Sequence, residues 1–369
     1  MLPLPYYLFR PGTVRDTEPL IEVTGGATYP SEGSISYTTV SLRQATLFGL
    51  MSGWIDDDVA VMGRDEVLGD HGAEENRQIN LELMDNSKQV ATKVALERLG
   101  YEVEVSITGH VVFEVRPGMP AEGVLSVGDT IVAVDDVPID DREDLHRLLG
   151  EESPGSSVMI TVESPEPGVP PAASPTLGPR GGDDEGGDRD GAGGQNGDQR
   201  DADRGDDPEL ERRDVEITLA ASPDDPDRAE MGVTVGPRLD YHFPIDVAID
   251  TGDVGGPSAG LAFTLGLIDD LTPGDLTGGL AVAVTGEIEA DGTVGPVGGA
   301  GQKAAAVRAA GMDLFLVPSA DYDAAVEHAG DVEVVRVDTL DEALEALAER
   351  GGNGLDLPQA GEPSERPAA

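Results

Sequence analysis

Hydrophobic and polar positions alternate in short runs near the start of the chain. The run PLIEVTGGATYPSEGSISYTTVSL, at residues 19–42, is rich in β-branched residues and is interrupted by Gly and Pro. This pattern predicts two or three strands joined by turns. Between residues 74 and 99 the apolar positions follow helical spacing, and the segment ends at Gly100. One or two helices are therefore predicted after the strands.

A second segment with the sequence pattern of β-strands begins at Tyr101. The runs YEVEVSI, HVVFEV and TIVAVDDVPI predict short strands, followed by a helix from Asp141 to Leu149 and a further strand, SSVMITVE. Residues 164–209 are dense in Gly and Asp and poor in apolar side chains, which predicts a disordered insertion. The pattern typical of strands returns in RRDVEITLA and MGVTVGPR, so we expect the insertion to interrupt a hairpin within one domain.

Strands and helices interleave in the last third of the chain and end in a βαβα order, which predicts a mixed α/β domain. The chain as a whole is therefore predicted to be of the α+β class, with a β-rich domain before an α/β domain. The predicted divisions are an N-terminal tail (1–18), strands and helices (19–100), the β-rich domain (101–237), the α/β domain (238–350) and a flexible tail (351–369).

Composition narrows the possible functions. The 369 residues carry a formal net charge of −48, which argues against nucleic acid or an anionic membrane surface as the main partner. Cysteine is absent from the sequence, which excludes disulfides, thiolate metal sites and a cysteine nucleophile. The Asp-rich tract lacks the ligand order of a calcium-binding EF-hand, so no metal or cofactor is predicted. The first residues, MLPLPYYLFRPG, lack the form of a signal peptide.

Candidate chemistry is concentrated between Asp253 and Lys303. Ser258 lies in a glycine-flanked turn, GDVGGPSAG, directly before an apolar segment that predicts a helix. Unpaired N–H groups at a helix start can stabilise an oxyanion, so the position suits a nucleophile. The turn residues expected to form the oxyanion site are Gly256, Pro257 and Ala259.

A nucleophilic serine needs a base, and the sequence offers two kinds. Of the five histidines, only His242 and His328 stay open as partners of a His-based triad. The sequence has three lysines, Lys88, Lys93 and Lys303, against 21 arginines. A buried lysine can lose its proton near neutral pH, whereas arginine does not. Lys303, which follows three glycines and begins a helix of small residues, is the sharper candidate.

Three motifs in order, GGPSAG (255–260), TGEI (285–288) and GGAGQK (298–303), resemble the proteolytic domain of Lon peptidases. The resemblance implies that Ser258 is the nucleophile and Lys303 the general base of a Ser-Lys dyad, with Thr285 orienting the lysine. Many Lon sequences carry an acidic residue three positions before the serine, where this chain has Gly255. Asp253 is the candidate substitute for it.

The order of elements after Tyr101 resembles a PDZ domain, through Pro117, Gly118, Pro120, Ala121, Gly128 and Asp129. Such domains bind an extended peptide between a strand and a helix. The resemblance therefore implies a groove flanked by Val111, Val112, Phe113, Leu145 and Leu149.

A PDZ domain before a Lon-type domain resembles a bacterial group of PDZ-containing, Lon-like peptidases that are secreted or membrane-tethered. The resemblance implies that residues 19–100 belong to the proteolytic domain, with the PDZ domain inserted. Because Lon-type domains assemble into rings, it also implies a homo-oligomeric ring of this chain. In that group a transmembrane helix usually precedes a segment like PLPYYLFRPG, so the expectation is either an anchor upstream of Met1 or a soluble member.

The expected function is that of a serine endopeptidase acting on peptides or unfolded proteins, with the PDZ domain recruiting or gating them. The sequence has no GxxxxGK[ST] phosphate loop, which predicts activity without ATP. The alternative is a PDZ scaffold or peptide-binding protein with a degenerate protease fold, in which Ser258 only caps a helix and Lys303 only fills a packed turn.

Overall fold

The structure, a computed structural model, divides into two compact units. Unit 1 combines Met1–Val103 with Phe243–Ala369, and unit 2 is Glu104–His242. The described residues are 4–53, 56–68, 73–141, 143–164, 211–223, 225–355 and 357. Most of the insertion predicted at 164–209 and most of the tail predicted at 351–369 lie outside them.

The elements of the described residues alternate between strands and helices along unit 1 and are mainly strands in unit 2. The strands are β1 (Tyr6–Asp16), β2 (Ile21–Thr24), β3 (Ser34–Gln44), β4 (Ala60–Gly63), β5 (Glu104–Val115), β6 (Thr130–Val134), β7 (Val137–Pro138), β8 (Ser157–Ser164), β9 (Glu211–Thr218), β10 (Ala220–Ala221), β11 (Ala229–Glu230), β12 (Val233–His242), β13 (Asp246–Ile249), β14 (Ala281–Val284), β15 (Glu287–Ile288), β16 (Val294–Gly295), β17 (Leu314–Val317) and β18 (Glu333–Arg336). The α-helices are α1 (Leu47–Gly53), α2 (Arg64–Leu68), α3 (Ala73–Arg98), α4 (Asp144–Gly150), α5 (Gly260–Leu271), α6 (Ala300–Ala310), α7 (Tyr322–Ala329) and α8 (Leu340–Ala348). Short 3₁₀ helices are η1 (Glu18–Leu20), η2 (Pro257–Ala259) and η3 (Ser319–Asp321). None of the helices in the described part of the chain combines the length and apolar character that a membrane span requires.

A mixed sheet with strand order β18-β17-β14-β3-β1-β4 forms the framework of unit 1. β18, β17, β14 and β3 run parallel to one another, whereas β1 is antiparallel to both β3 and β4. The helix α5 packs on this sheet with Gly260–Asp269 buried, and the Phe263 ring lies 5.4 Å from that of Tyr37 on β3. This largely apolar, buried helix anchors the turn that precedes it.

The prediction of an N-terminal tail over residues 1–18 is wrong for most of its length. Tyr6–Asp16 forms β1, which is hydrogen-bonded between β3 and β4 inside the sheet. The strand contains Pro11 and only two β-branched residues, Thr13 and Val14, so residue propensities do not predict it. The strand forms because both of its edges find partners that lie far away in sequence.

Unit 2 is built on a second sheet with strand order β12-β5-β6-β8-β9, to which β7 adds beside β6. Its core comprises buried apolar residues from the strands and from α4, among them Val112, Ile131, Leu145, Ile160 and Ile217. β8 and β9 pair in antiparallel register from Ser157 with Thr218 to Ser164 with Glu211. The two ends of the segment 165–210 therefore leave and re-enter at one end of a hairpin.

The structure places three boundaries differently from the sequence prediction. β12 continues to His242, which pairs with Glu104, so the β-rich domain ends after His242 rather than at residue 237. Ser164 is the last residue of β8 rather than the first of the insertion. The start of the predicted C-terminal tail is held in place, because the N–H of Asn353 donates to the Asp275 carbonyl and its side-chain amide donates to the Pro273 carbonyl.

Candidate active site

Ser258 lies in a turn between β13 and α5. The turn includes the 3₁₀ helix η2, and its N-cap residue Gly256 has φ of 97°, a conformation that glycine adopts without strain. The N–H of Gly286 donates to the Ser258 carbonyl over 2.9 Å, and the Thr285 hydroxyl donates to the same carbonyl over 3.2 Å. The backbone of the nucleophile position is thus tied to the chain that follows β14.

Lys303 reaches Ser258 from the second turn of α6. Its Nζ lies 2.6 Å from the Ser258 Oγ and donates to the Thr285 Oγ1 over 2.9 Å. The left-handed Gly299 begins α6, and the Lys303 side chain is buried, at 2% exposure, as is that of Thr285. The structure brings together all three residues that the sequence motifs single out.

Burial lowers the pKa of Lys303 from 10.5 to about 7, because an ammonium group loses its hydration in this setting. The negative charge of Asp321 opposes this effect and raises the pKa. Asp321 also accepts the N–H of Val297 over 2.8 Å, in the loop that leads to α6. A lysine with a pKa near neutrality can exist unprotonated at the pH where it acts as a base.

The three predicted oxyanion residues differ in what they can offer. The N–H of Gly256 donates to the Asn80 carbonyl over 2.7 Å, and Pro257 has no N–H, so neither provides the free donor that was predicted. Ala259 is buried at the start of α5, and its assignment stays a prediction. Of the predicted donors, the Gly256 N–H is therefore occupied by a bond within the protein, and Pro257 has no N–H to donate to a substrate.

Helix α3 contacts the turn through residues that sequence reasoning missed. Besides the Asn80 carbonyl, the Ser87 hydroxyl takes part by donating to the Pro257 carbonyl over 2.9 Å. The two residues are seven positions apart and share one helix face with the buried Met84 and Ala91. Small polar residues on the apolar face of the predicted helix were the available signal.

Gly255 has a steric role. A Cβ added there would lie 2.9 Å from the backbone carbonyl carbon of Asn80 and 2.9 Å from its Cβ. The position therefore has no room for the acidic residue that many Lon sequences carry. Asp253 does not replace it, because its side chain is exposed and pairs with Arg77 over 2.7 Å.

No described contact joins Ser258 to His242 or His328, the two histidines considered as alternative bases. The His328 Nδ1 lies 2.9 Å from the Asp58 Oδ1, and its ring packs against Gly301. His242 is in unit 2, where its Nε2 lies 3.4 Å from the Ser106 Oγ. The described contacts of Ser258 are instead with Lys303 and with the segment around Thr285, so the His-based alternative loses its support.

A groove of about 240 Å³ lies in unit 2 between α4 and the chain from Ala229 to Val235. Leu145 and Leu149 line it, as predicted from the PDZ resemblance, together with Met231, Val233 and Val235. At one end Glu230 accepts from Arg116 over 2.7 Å and from Arg228 over 3.4 Å.

The other predicted groove residues, Val111, Val112 and Phe113, do not line this groove. They belong to β5, which is hydrogen-bonded to β12 on one side, while β6 and the Gly128–Asp129 turn occupy the other. Val112 is fully buried in the core. β12, not β5, is the edge strand beside α4.

In this site a serine hydroxyl faces a buried lysine amine on an α/β scaffold. Residues 238–349 match the family model of the Lon protease (S16) C-terminal proteolytic domain, and residues 97–164 match that of the PDZ domain. The chain therefore contains one region that matches a PDZ domain and one that matches a Lon-type proteolytic domain.

Curated relatives agree over the C-terminal region. Lon protease 2 of Bacillus subtilis is 32% identical over 111 residues, covering 30% of this chain and 18% of the relative. Lon protease of Clostridioides difficile is 40% identical over 103 residues, covering 27% of this chain and 13% of the relative. The chain thus spans less than a fifth of the length of either relative. Among solved structures, the PDZ domain of an SdrC-like protein from Listeria innocua is 14% identical and covers 34% of this chain and 92% of that domain, with a TM-score of 0.21.

Proposed function

We propose that this chain is a serine endopeptidase that hydrolyses peptide bonds without ATP, with Ser258 as nucleophile and Lys303 as general base. The observation that carries the proposal is the 2.6 Å approach of a buried lysine Nζ to the serine Oγ. Because this Nζ donates to Thr285, its lone pair in the neutral state is directed to the serine hydroxyl. The proposal applies the chemistry of the Lon-type domain to the residues of this chain.

Acylation begins when the Ser258 hydroxyl transfers its proton to the neutral Lys303 and its oxygen bonds to the substrate carbonyl carbon. The tetrahedral intermediate collapses as the protonated lysine gives its proton to the leaving amine. A water molecule then attacks the acyl-enzyme, losing a proton to Lys303, and Ser258 regains its proton as the acid product leaves. Thr285 holds the lysine amine in line throughout.

The oxyanion that forms during acylation needs a backbone donor. The first residues of a helix have N–H groups without an intrahelical acceptor. In η2 these residues are Pro257, which has no N–H, Ser258 and Ala259. We assign the Ser258 N–H as the donor, because it is next to the attacking oxygen and the Gly256 N–H is already bonded to Asn80.

The PDZ domain supplies the second part of the proposal. The groove between α4 and β12 has apolar walls, and β12 is the terminal strand of its sheet among the described residues, a combination that suits an extended peptide with an apolar C-terminal residue. We propose that it recruits peptides or unfolded proteins for cleavage. Its binding contributes to substrate affinity and leaves the chemistry at Ser258 unchanged.

Labelling with a fluorophosphonate probe tests the nucleophile. The wild-type protein is expected to form one covalent adduct, which mass spectrometry locates at Ser258, and to degrade unfolded casein in the absence of ATP. Both activities should disappear in Ser258→Ala, because that variant has no oxygen to attack. Ser319→Ala is the matched control: this exposed hydroxyl bonds only to Asp338 in the described part of the chain and should leave labelling unchanged. Casein degradation that survives in Ser258→Ala refutes the assignment.

The substitution Leu149→Gln tests the groove. Replacing this apolar lining side chain removes contact worth about 1–2 kcal/mol, so KM for a substrate with an apolar free C-terminus should rise about tenfold. The kcat should not change, and neither should cleavage of the same substrate with an amidated C-terminus. Val137→Gln, an exposed apolar residue outside the groove, is the control. An equal KM in Leu149→Gln and wild type rules out the recruiting role.

A further inference from the structure

One face of α3 contacts the nucleophile turn at two levels. The Asn80 carbonyl accepts the Gly256 N–H, and two helical turns later the Ser87 hydroxyl donates to the Pro257 carbonyl. Ser87 is 3% exposed, so water does not compete for this bond. α3 therefore holds the two residues immediately before Ser258. In sequence, Ser87 is 170 positions from Pro257.

The hydrogen bond of Ser87 differs from the usual bond of a helical hydroxyl. Serine and threonine inside helices commonly donate to the carbonyl four residues earlier, as Thr92 does to Lys88 over 2.9 Å. Ser87 instead points away from its own helix and bonds to the turn. Its hydroxyl is not needed to complete α3, so the bond to Pro257 is a contact between two elements.

The packing around this bond is tight. A Cβ at Gly260 would lie 2.8 Å from the Ser87 Oγ and 2.8 Å from Ile288 Cγ2, so only glycine fits at the start of α5. The Pro257 carbonyl also accepts the N–H of Gly260. The peptide group between Pro257 and Ser258 is thus fixed by one bond from α5 and one from α3.

We propose that Ser87 is a positioning residue for acylation: by holding the Pro257 carbonyl it sets the direction in which the Ser258 hydroxyl faces the Lys303 amine. The inference rests on the proposed function of the dyad. Loss of the Ser87 hydroxyl leaves Pro257 bonded to Gly260 and the fold intact, while the turn gains freedom to rotate. Because reaction rates depend steeply on the alignment of the reacting atoms, a small rotation is expected to slow the chemistry much more than it weakens substrate binding.

The test uses Ser87→Ala in the full-length protein. The second-order rate of Ser258 labelling by the fluorophosphonate probe is expected to fall about 10- to 100-fold. The kcat for casein peptides should fall by a similar factor, with KM unchanged. Thr92→Val is the matched control, since it removes a buried hydroxyl from the same helix without touching the turn and should label at the wild-type rate. Ser87→Cys, of similar shape with a weaker donor, should be intermediate.

Each other outcome has a defined meaning. Labelling of Ser87→Ala within twofold of wild type overturns the inference, as does an equal slowing in Thr92→Val, which would reflect a general loosening of α3. If Ser87→Ala does not fold by circular dichroism, Ser87→Cys decides, and a wild-type rate there overturns the inference. Absence of labelling in the wild type itself rejects the proposed function, and the positioning role with it.

Discussion

Lys303→Met is expected to lower the rate of Ser258 acylation about a thousandfold, the contribution of a well-placed general base. Methionine preserves the length and burial of the side chain but has no lone pair basic enough to take the serine proton. The rate is measured by fluorophosphonate labelling and by casein hydrolysis under saturating substrate. Lys303→Arg should be equally inactive at every pH, because its guanidinium does not deprotonate in proteins.

Lys88→Met is the control for the loss of a lysine, since Lys88 pairs with Asp85 on α3 and has no contact with the dyad. It should retain wild-type activity. Because only the neutral form of Lys303 accepts a proton, wild-type acylation should rise with pH and level off above the pKa of about 7. Activity in Lys303→Met within tenfold of wild type, or a wild-type rate that falls with pH through 7, contradicts the role of Lys303 as base.

The same substitution is expected to stabilise the protein at low pH. The pKa of Lys303 is 10.5 as a free side chain and about 7 when folded, so below pH 7 the folded state holds a buried charge. The shift corresponds to roughly 5 kcal/mol of lost stability, against which the lost hydrogen bonds to Ser258 and Thr285 count about 2 kcal/mol. Lys303→Met should therefore be more stable than wild type at pH 6 by roughly 3 kcal/mol in the free energy of unfolding.

The sign of the pH dependence follows from proton counting. Between pH 7 and 10.5 the unfolded chain binds one more proton at Lys303 than the folded chain, so wild-type stability rises with pH across this window. The advantage of Lys303→Met should shrink by roughly 3 kcal/mol between pH 7 and pH 9. Urea unfolding followed by circular dichroism measures it. A pH-independent difference between the two proteins excludes a buried, shifted lysine.

The residues of the proposed dyad could be predicted from the sequence because each of them lies in a short local motif. Ser258, Thr285 and Lys303 are each embedded in glycine-containing turns whose chemistry can be recognised one segment at a time. The structure adds the distances and the burial that lowers the pKa of the lysine. Local motifs thus predict which residues could react. The burial that lowers the pKa of Lys303 depends on the whole fold and could not be predicted from those motifs.

Contacts between segments that are distant in sequence could not be predicted. Ser87 and Asn80 act through their position on a helix face, and nothing in their local sequence indicates which turn that face meets. The same limit applies to β1 and to the groove of unit 2. A pattern of apolar residues predicts that a strand exists, but whether it lies at the edge, as β12 does, or inside the sheet, as β5 does, depends on partners chosen by the whole fold.

The pairing of Glu104 with His242 closes unit 2 where the chain enters and leaves it. Both covalent connections to the proteolytic domain therefore start from neighbouring backbone positions, an arrangement in which insertion of a whole domain is well tolerated. Unit 2 is for this reason suited to exchange as a whole module. Under the proposed recruiting role, replacement of this one insert would change the class of substrate, while the strand order that positions Ser258 and Lys303 stays as it is.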